Sequence, residues 1–255
     1  MTAPLSPTIW QRLHGFCQRT AAGSLFTRPV TIDRQRPIIS FTFDDFPTSA
    51  LLTGGAILER FGLRGTYYAS LGLMGKTAPT GAICTVEHLA ELVERGHELG
   101  CHTFHHCHSW ETRTTVFEQS ILENSAALHT LVPGALFKTF SYPISPPRPH
   151  TKRIVGRHFT CARGGGQTFN VGNTDLNYLH AYFLEKARHC RDVVRNVIEQ
   201  NRDARGWLIF ATHDVCNSPT PFGCTPSFFE SIVECAVRSE AQIVPVAEAV
   251  ASLRC

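Results

Sequence analysis

Short apolar stretches recurring between segments of helical periodicity are the feature that most narrows what this 255-residue chain can become. Ile38–Phe43, Gly65–Ser70, Glu98–Thr103, Phe137–Tyr142, His158–Ala162, Tyr178–Leu184, Trp207–Thr212 and Ala241–Val246 each have the length of a strand rather than a helix. Between them, Phe117, Ile121 and Leu128 share one face of a helix that Pro133-Gly134 ends. Ala187, Cys190, Val194, Val197 and Ile198 form a second apolar stripe, backed by Arg188, Arg191, Arg195 and Arg202 as a solvated face. The alternation predicts an α/β fold. With no internal repeat and no long linker, it also predicts a single domain. The proline cluster Pro143–Pro149 reads as a rigid loop after a strand.

Composition removes several function classes. A hydrophobic fraction of 43% and a charged fraction of 18% exclude disorder and a coiled coil. A formal net charge of +3 is too slight to make nucleic acid or an anionic membrane the expected main partner. No apolar run approaches the roughly 18 residues of a membrane span. The first residues, with Pro4 and Pro7 among scattered polar groups, do not read as a secretory signal. The ten cysteines contain no CxxC pair, so reduced thiols in the cytoplasm are expected.

Polar residues gather just past three of the predicted strands: Asp44-Asp45 after Phe43, His102-Thr103-Phe104-His105-His106 after Cys101, and His213-Asp214 after Thr212. Taken singly, an Asp pair reads as a turn or cap, and an HxxxH pair as two histidines facing solvent or a satisfied core. In parallel α/β folds, however, the C-terminal strand ends converge on one site. There, His102 and His106 with one aspartate would form a two-histidine, one-carboxylate set suited to Zn²⁺ and related divalent ions. Adjacent aspartates leave a strand in opposite directions unless the backbone turns. One metal ligand and one nearby base is therefore the economical division. A bound ion lowers the pKa of its water from about 15.7 towards 7, a carboxylate can take that proton, and His213 can protonate the leaving group.

These residues resemble the polysaccharide deacetylase family, the NodB-type domain of carbohydrate esterase family four. Thr42-Phe43-Asp44-Asp45 is similar to its first motif, which implies Asp44 as base and Asp45 as metal ligand. His102 to His106 is similar to its H-[ST]-x-x-H motif and implies His102 and His106 as the other ligands. Leu208 to His213 is similar to its last motif and implies His213 as general acid. The resemblance runs from about Pro37 to Val250. It implies a distorted, incomplete (β/α) barrel with the site at the strand C-termini. Residues 1–36 are then an N-terminal extension packing on a catalytic domain of residues 37–255.

The third motif departs from the family's R-x-P-[YF]. In Ser141-Tyr142-Pro143-Ile144, serine stands at the arginine position and Ile144 at the aromatic one. The Ile144 backbone N–H can still serve an oxyanion, since the side chain is not needed. Arg163 is the candidate replacement for the missing arginine, the alternative being a surface residue. Asp175 is a possible partner of His213, though an Asx-turn suits a loop aspartate better. Gly164-Gly165-Gly166 lacks the Lys-Ser/Thr of a phosphate loop and reads as a flexible loop. Cys216 and Cys224 read as loop packing.

The expectation is a metal-dependent hydrolase that removes an N-acetyl group from an amino sugar or glycan precursor. It would use one divalent ion, Zn²⁺ first, with Co²⁺, Ni²⁺ or Mn²⁺ as alternatives. The other readings are an amidase acting on a non-sugar acylamide, and a carbohydrate-binding domain that has lost catalysis.

Overall fold

Strand β2 (Ile38–Phe43), counted after β1 (Pro29–Ile32), is buried at every residue. That is how a strand covered on both faces reads. The computed structural model describes residues 9–144 and 146–253, so Pro4, Pro7, Ser145 of the proline cluster and Cys255 fall outside it. Within it, β3 (Thr66–Ala69), β6 (Glu98–Cys101), β7 (Thr139–Ser141), β8 (Cys161–Arg163), β10 (Tyr182–Phe183), β11 (Trp207–Thr212) and β12 (Gln242–Ile243) join β2 in one sheet. The hydrogen-bonded order is β10-β11-β2-β3-β6-β7-β8, every pair parallel. Strand β12 pairs with the start of β2, at Ile38 and Ile39, and β3 with its end, at Thr42 and Phe43. The sheet curls into a half-barrel within a single mixed α/β domain. Outside it, β4 (Thr77–Ala78) and β5 (Gly81–Ala82) form a short hairpin, and β1 pairs antiparallel with β9 (Gly172–Asp175).

The helices are α1 (Ile9–Ser24), α2 (Ala56–Arg60), α3 (Val86–Glu94), α4 (Thr114–Leu131), α5 (Pro149–His158), α6 (Arg191–Asp203), α7 (Pro226–Arg238) and α8 (Val246–Ser252). Period-two alternation divides β2 between two cores. Ile39, Phe41 and Phe43 pack with Phe228 and Phe229 of α7, whereas Ile38 joins Trp207, Ile209 and Val250. The buried polar side chains of β2 are satisfied: Trp207 Nε1 donates to Ser40 Oγ (3.0 Å), which donates to the Val244 carbonyl (2.7 Å). A third core lies under α4 and α5, from Phe117, Ile121, Phe140, Val155 and Phe159.

Each predicted strand overlaps an observed one, with larger differences in two places. His158, expected to open a strand, ends α5 instead, and β8 begins at Cys161. The proline cluster conceals that helix, because Pro149 is its first residue: a preset φ and a missing N–H cost nothing there. Of Tyr178–Leu184, Tyr182–Phe183 form a strand and Leu179 makes a single parallel bridge to Arg163, and Ala187 and Cys190 precede α6. The glycine run is also packed rather than loose. A Cβ on Gly164 would lie 2.4 Å from the Tyr178 ring, and Gly166 adopts φ +144° beside His180.

Gly100 of β6 has a similar role beneath the site: a Cβ there would sit 2.4 Å from the buried Tyr68 ring. Gly100→Ala should lower the urea midpoint by the equivalent of ~1–3 kcal/mol, as overpacking does. Gly23→Ala, where the added Cβ meets nothing within 4 Å, should not destabilise.

Candidate metal centre and active site

Four parallel strands end on one rim and bring the polar clusters together. Where β2 ends, the Asp44 N–H donates to the Thr212 carbonyl at the end of β11 (2.9 Å), so Asp44 and His213 leave adjacent strands. The chain then turns sharply: Asp45 and Phe46 have φ of +60° and +50°. This turn lets two consecutive aspartates serve different neighbours. Asp44 accepts a hydrogen bond from Arg163 Nη2 of β8, while Asp45 points at His102 and His106 beyond β6.

Asp45 Oδ1 lies 3.2 Å from His106 Nε2 and 3.6 Å from His102 Nε2, and one ligand atom from each of the three lies within 4.8 Å of the others. The remaining Asp45 oxygen, Oδ2, accepts from Thr80 Oγ1 of the β4–β5 hairpin (2.9 Å). Oδ1 is buried and has no hydrogen-bond partner. His102 Nδ1 donates to the Ser141 carbonyl (2.8 Å), which leaves its Nε2 lone pair facing Asp45. Burial pushes the His102 imidazole down to about 4 despite Asp44 and Asp45, so it is neutral at neutral pH, as a ligand must be. Burial also raises the Asp45 carboxyl, but His106 and His102 overcome it and hold the group ionised. A buried, unpartnered carboxylate oxygen between two imidazole nitrogens fits a divalent cation. His105 sits outside this set, exposed and 3.3 Å from Glu123.

Arg163 is not a surface residue. It is 1% exposed, with its guanidinium 4.7 Å from the Tyr68 ring centre and 5.9 Å from that of Phe183. Burial would raise the Asp44 carboxyl, yet Arg163, His102 and His213 hold it below its ordinary value. The β7–β8 register pairs Arg163 with Ser141, so the arginine stands one strand over from the position the serine occupies. Ile144 lies on the loop leaving β7, with φ +69° and an exposed side chain. For a β-branched residue that backbone is strained. Thr103 and His106 (φ +59° and +54°) share the feature, so strained positions collect around one rim.

His213 Nδ1 donates to the Phe222 carbonyl (3.2 Å), leaving Nε2 for a substrate. Asp175 does not meet it. Asp175 Oδ1 accepts from the Asn177 N–H (2.9 Å), an Asx-turn, and Oδ2 pairs with Lys152 (2.5 Å). The Gly164–Gly166 run holds aromatic rings, and Cys216 and Cys224 pack around Asp214 and Thr212 rather than reaching the histidines.

Two residues were missed in the sequence. Thr80 carries no motif, and only the folded hairpin brings it to Asp45. Glu185 lies in the 3-10 turn Leu184–Lys186 that follows β10, the strand paired beside β11, and this brings it within electrostatic range of His213. Its Oε2 is buried without a partner, and burial pushes the carboxyl up to about 6 although His213 and Lys186 lower it. An acidic residue just past a strand neighbouring the His213 strand was the available signal.

The family profile described as polysaccharide deacetylase matches residues 31–157. Among solved structures, the chain is similar to a family 4 acetyl xylan esterase from Clostridium thermocellum in complex with a cobalt ion (18% identity, 85% of this chain and 91% of that one, TM-score 0.56). It is similar to the chitin deacetylase of the fungal pathogen Colletotrichum lindemuthianum (14%, 86% and 89%, TM-score 0.60). It is also similar to a carbohydrate esterase family four pseudoenzyme from Bacillus anthracis (10%, 86% and 66%, TM-score 0.60). These likenesses are of fold. No curated protein matches the chain.

A Glu carboxyl raised from 4.5 to about 6 costs stability once ionised, so the penalty is complete above the folded value and absent below the unfolded one. In chelator-treated protein, Glu185→Gln should therefore raise the unfolding free energy at alkaline pH by up to ~2 kcal/mol. The gap should close as the pH falls through that window. Separately, His106→Ala should abolish Zn²⁺ binding by calorimetry, and Thr80→Val should weaken it by about 10–100-fold, the usual effect of losing a group that orients a ligand.

Proposed function

We propose, because the chain belongs to the polysaccharide deacetylase family, that it is a metal-dependent hydrolase removing an N-acetyl group from an amino sugar. The observation that carries this reading is the placement of Asp44, ionised by Arg163, and His213 at the ends of adjacent strands beside the Asp45–His102–His106 set. A divalent ion held by those three side chains would polarise the acetyl carbonyl and acidify a water molecule. Zn²⁺ suits two imidazoles and a carboxylate, and Co²⁺, Ni²⁺ and Mn²⁺ are tested with it.

The chain's own residues divide the proton transfers. Asp44 takes the proton of the attacking water, and Arg163 orients it and keeps it ionised in a buried setting. The Ile144 N–H is assigned to the developing oxyanion. His213, aligned by its Nδ1 bond to the Phe222 carbonyl, gives a proton from Nε2 to the departing amide nitrogen. Glu185 balances the charge His213 carries when protonated. The presence of base, acid and donor set together supports an enzyme over a lapsed binding domain. The thiols of Cys84, Cys101, Cys107 and Cys224, buried in the core, support a reducing compartment, the cytoplasm.

Acetate release from a panel of small N-acetylated sugars, with chelator and then with each metal restored, tests the reading. Activity on non-sugar acylamides alone would move the substrate to the amidase class. Asp44→Asn should cut the rate by at least ~10²–10⁴-fold with metal retained. Arg163→Ala should move the acidic limb of the rate profile to higher pH, because Asp44 loses the charge that keeps its pKa low. His213→Ala should cost far more on an amide than on an activated ester, whose leaving group needs no proton; equal losses would remove it from the acid role.

A further inference from the structure

His213 has a neighbour whose side chain the proton transfer alone does not require. Phe222 lies in the loop between β11 and α7, and its carbonyl is the group that accepts from His213 Nδ1 (3.2 Å). Its ring stands 5.7 Å from the imidazole, the two planes inclined at 61°, and the residue is 41% exposed. Any residue could supply that carbonyl, so the aromatic ring at 222 is a separate feature of the rim. Phe183, the other aromatic on this side, is already engaged: the Arg163 guanidinium lies 5.9 Å and Lys186 Nζ 5.5 Å from its ring centre. Among the described residues, the only ring that Phe222 meets is that of His213.

The loop is built to hold this ring still. Asp214 is buried, and its carboxylate accepts from the Thr220 N–H (2.8 Å) and the Thr220 hydroxyl (2.6 Å), while its carbonyl accepts from the Cys224 N–H (3.0 Å). The Thr220 hydroxyl in turn accepts from the Phe222 N–H (3.2 Å), and Arg188 Nη1 donates to the Thr220 carbonyl (3.2 Å). The same knot requires Gly223, where a Cβ would lie 2.1 Å from Asp214 Oδ1. Pro219 and Pro221 restrict the backbone further. An exposed ring on a loop with so little freedom loses little entropy when a ligand covers it.

The chemistry at His213 says which part of a substrate reaches Phe222. The acyl carbon and its oxygen belong at the donor set and the Ile144 N–H, and the amide nitrogen belongs at His213 Nε2. Ile144 follows β7 and Phe222 follows β11, with β2, β3 and β6 between those strands in the sheet. The two rim loops therefore take opposite halves of the substrate, and the group carried by the amide nitrogen is the half beside Phe222. We propose that the Phe222 ring is the platform on which the sugar ring of the substrate lies, which makes it a specificity-determining residue for the amine half. A pyranose presents a face of C–H groups, apolar and slightly positive, that suits the negative face of a benzene ring, while its hydroxyls stay in water at the edge. An open-chain amine offers no such face. The proposal rests on the reading of His213 as the acid, and it selects a pyranose amine over a non-sugar acylamide.

The test compares the zinc-loaded parent with Phe222→Ala, Phe222→Leu and Phe222→Trp on substrates that share one acetyl group. These are the methyl glycosides of N-acetylglucosamine, N-acetylgalactosamine and N-acetylmannosamine, and the open-chain N-acetylethanolamine. On the preferred glycoside, Phe222→Ala should raise KM about three- to tenfold with kcat nearly unchanged. Phe222→Leu should recover little of this and Phe222→Trp all of it, while the kinetics on N-acetylethanolamine stay the same throughout. Binding gives a reading independent of turnover: with Asp44→Asn holding the sugar intact, NMR titration should show the same rise in Kd for Phe222→Ala. An unchanged Kd overturns the proposal, as does failure to bind any of the glycosides. Equal losses on glycoside and N-acetylethanolamine, or a fall in kcat with KM unchanged, also overturn it, since the ring would then only steady His213. Sugar binding that depends on Phe222 without acetate release removes the assigned reaction and upholds the platform, and acetate release indifferent to Phe222 does the reverse.

Discussion

The contact between Arg163 and Asp44 is the constraint around which the rim is arranged. Asp44 and Asp45 are consecutive and both nearly excluded from water, and two buried carboxylates side by side are unstable unless each meets positive charge. Asp44 meets it in Arg163, and Asp45 in His106, whose imidazole, despite burial, the carboxylate holds above its ordinary pKa; a cation held by the three side chains would take that part. Arg163 in turn needs a slot that a charged group tolerates. It has one between the faces of Tyr68 and Phe183, where cation–π attraction replaces part of the lost hydration. The slot depends on the absence of a side chain at Gly100 and on the small Ser141 beside Arg163 in the neighbouring strand.

This explains how the third motif can depart from its family without emptying the site. An arginine at position 141 and one at 163 would project from paired positions of adjacent strands and crowd one carboxylate. Serine at one and arginine at the other leaves one guanidinium. The register of a parallel pair makes the exchange possible, because paired residues on neighbouring strands face the same side of the sheet.

Strain has a similar local logic. Asp45, Phe46, Thr103, His106 and Ile144 all hold positive φ, and four of them lie at or beside proposed ligands or base. Such backbone is kept only where the surroundings over-determine it. Here the Thr80 hydroxyl on Asp45, the Ser141 carbonyl on His102 and the Cys107 N–H on Thr103 Oγ1 do so. The reward is geometric: the turn at Asp45 sends two neighbouring carboxylates to different partners, which an extended strand cannot do.

The sequence by itself determined the elements whose signal is local. Apolar runs such as Ile38–Phe43 and Trp207–Thr212 marked the central strands, and the polar residues just past them marked the rim, because strand ends in a parallel sheet share one edge. It also marked Arg163 as a candidate and Asp175 as a turn residue. The tertiary structure alone decided what depends on residues distant in the chain. Thr80 reaches Asp45 only because the β4–β5 hairpin folds over the end of β2. Glu185 comes within electrostatic range of His213 only because the turn it sits in follows β10, which pairs beside β11. Helix α5 lay concealed in the proline cluster because Pro149 is a helix starter and a loop former alike, and the packing of Ile154 and Val155 against Phe140 and Phe159 decides between them.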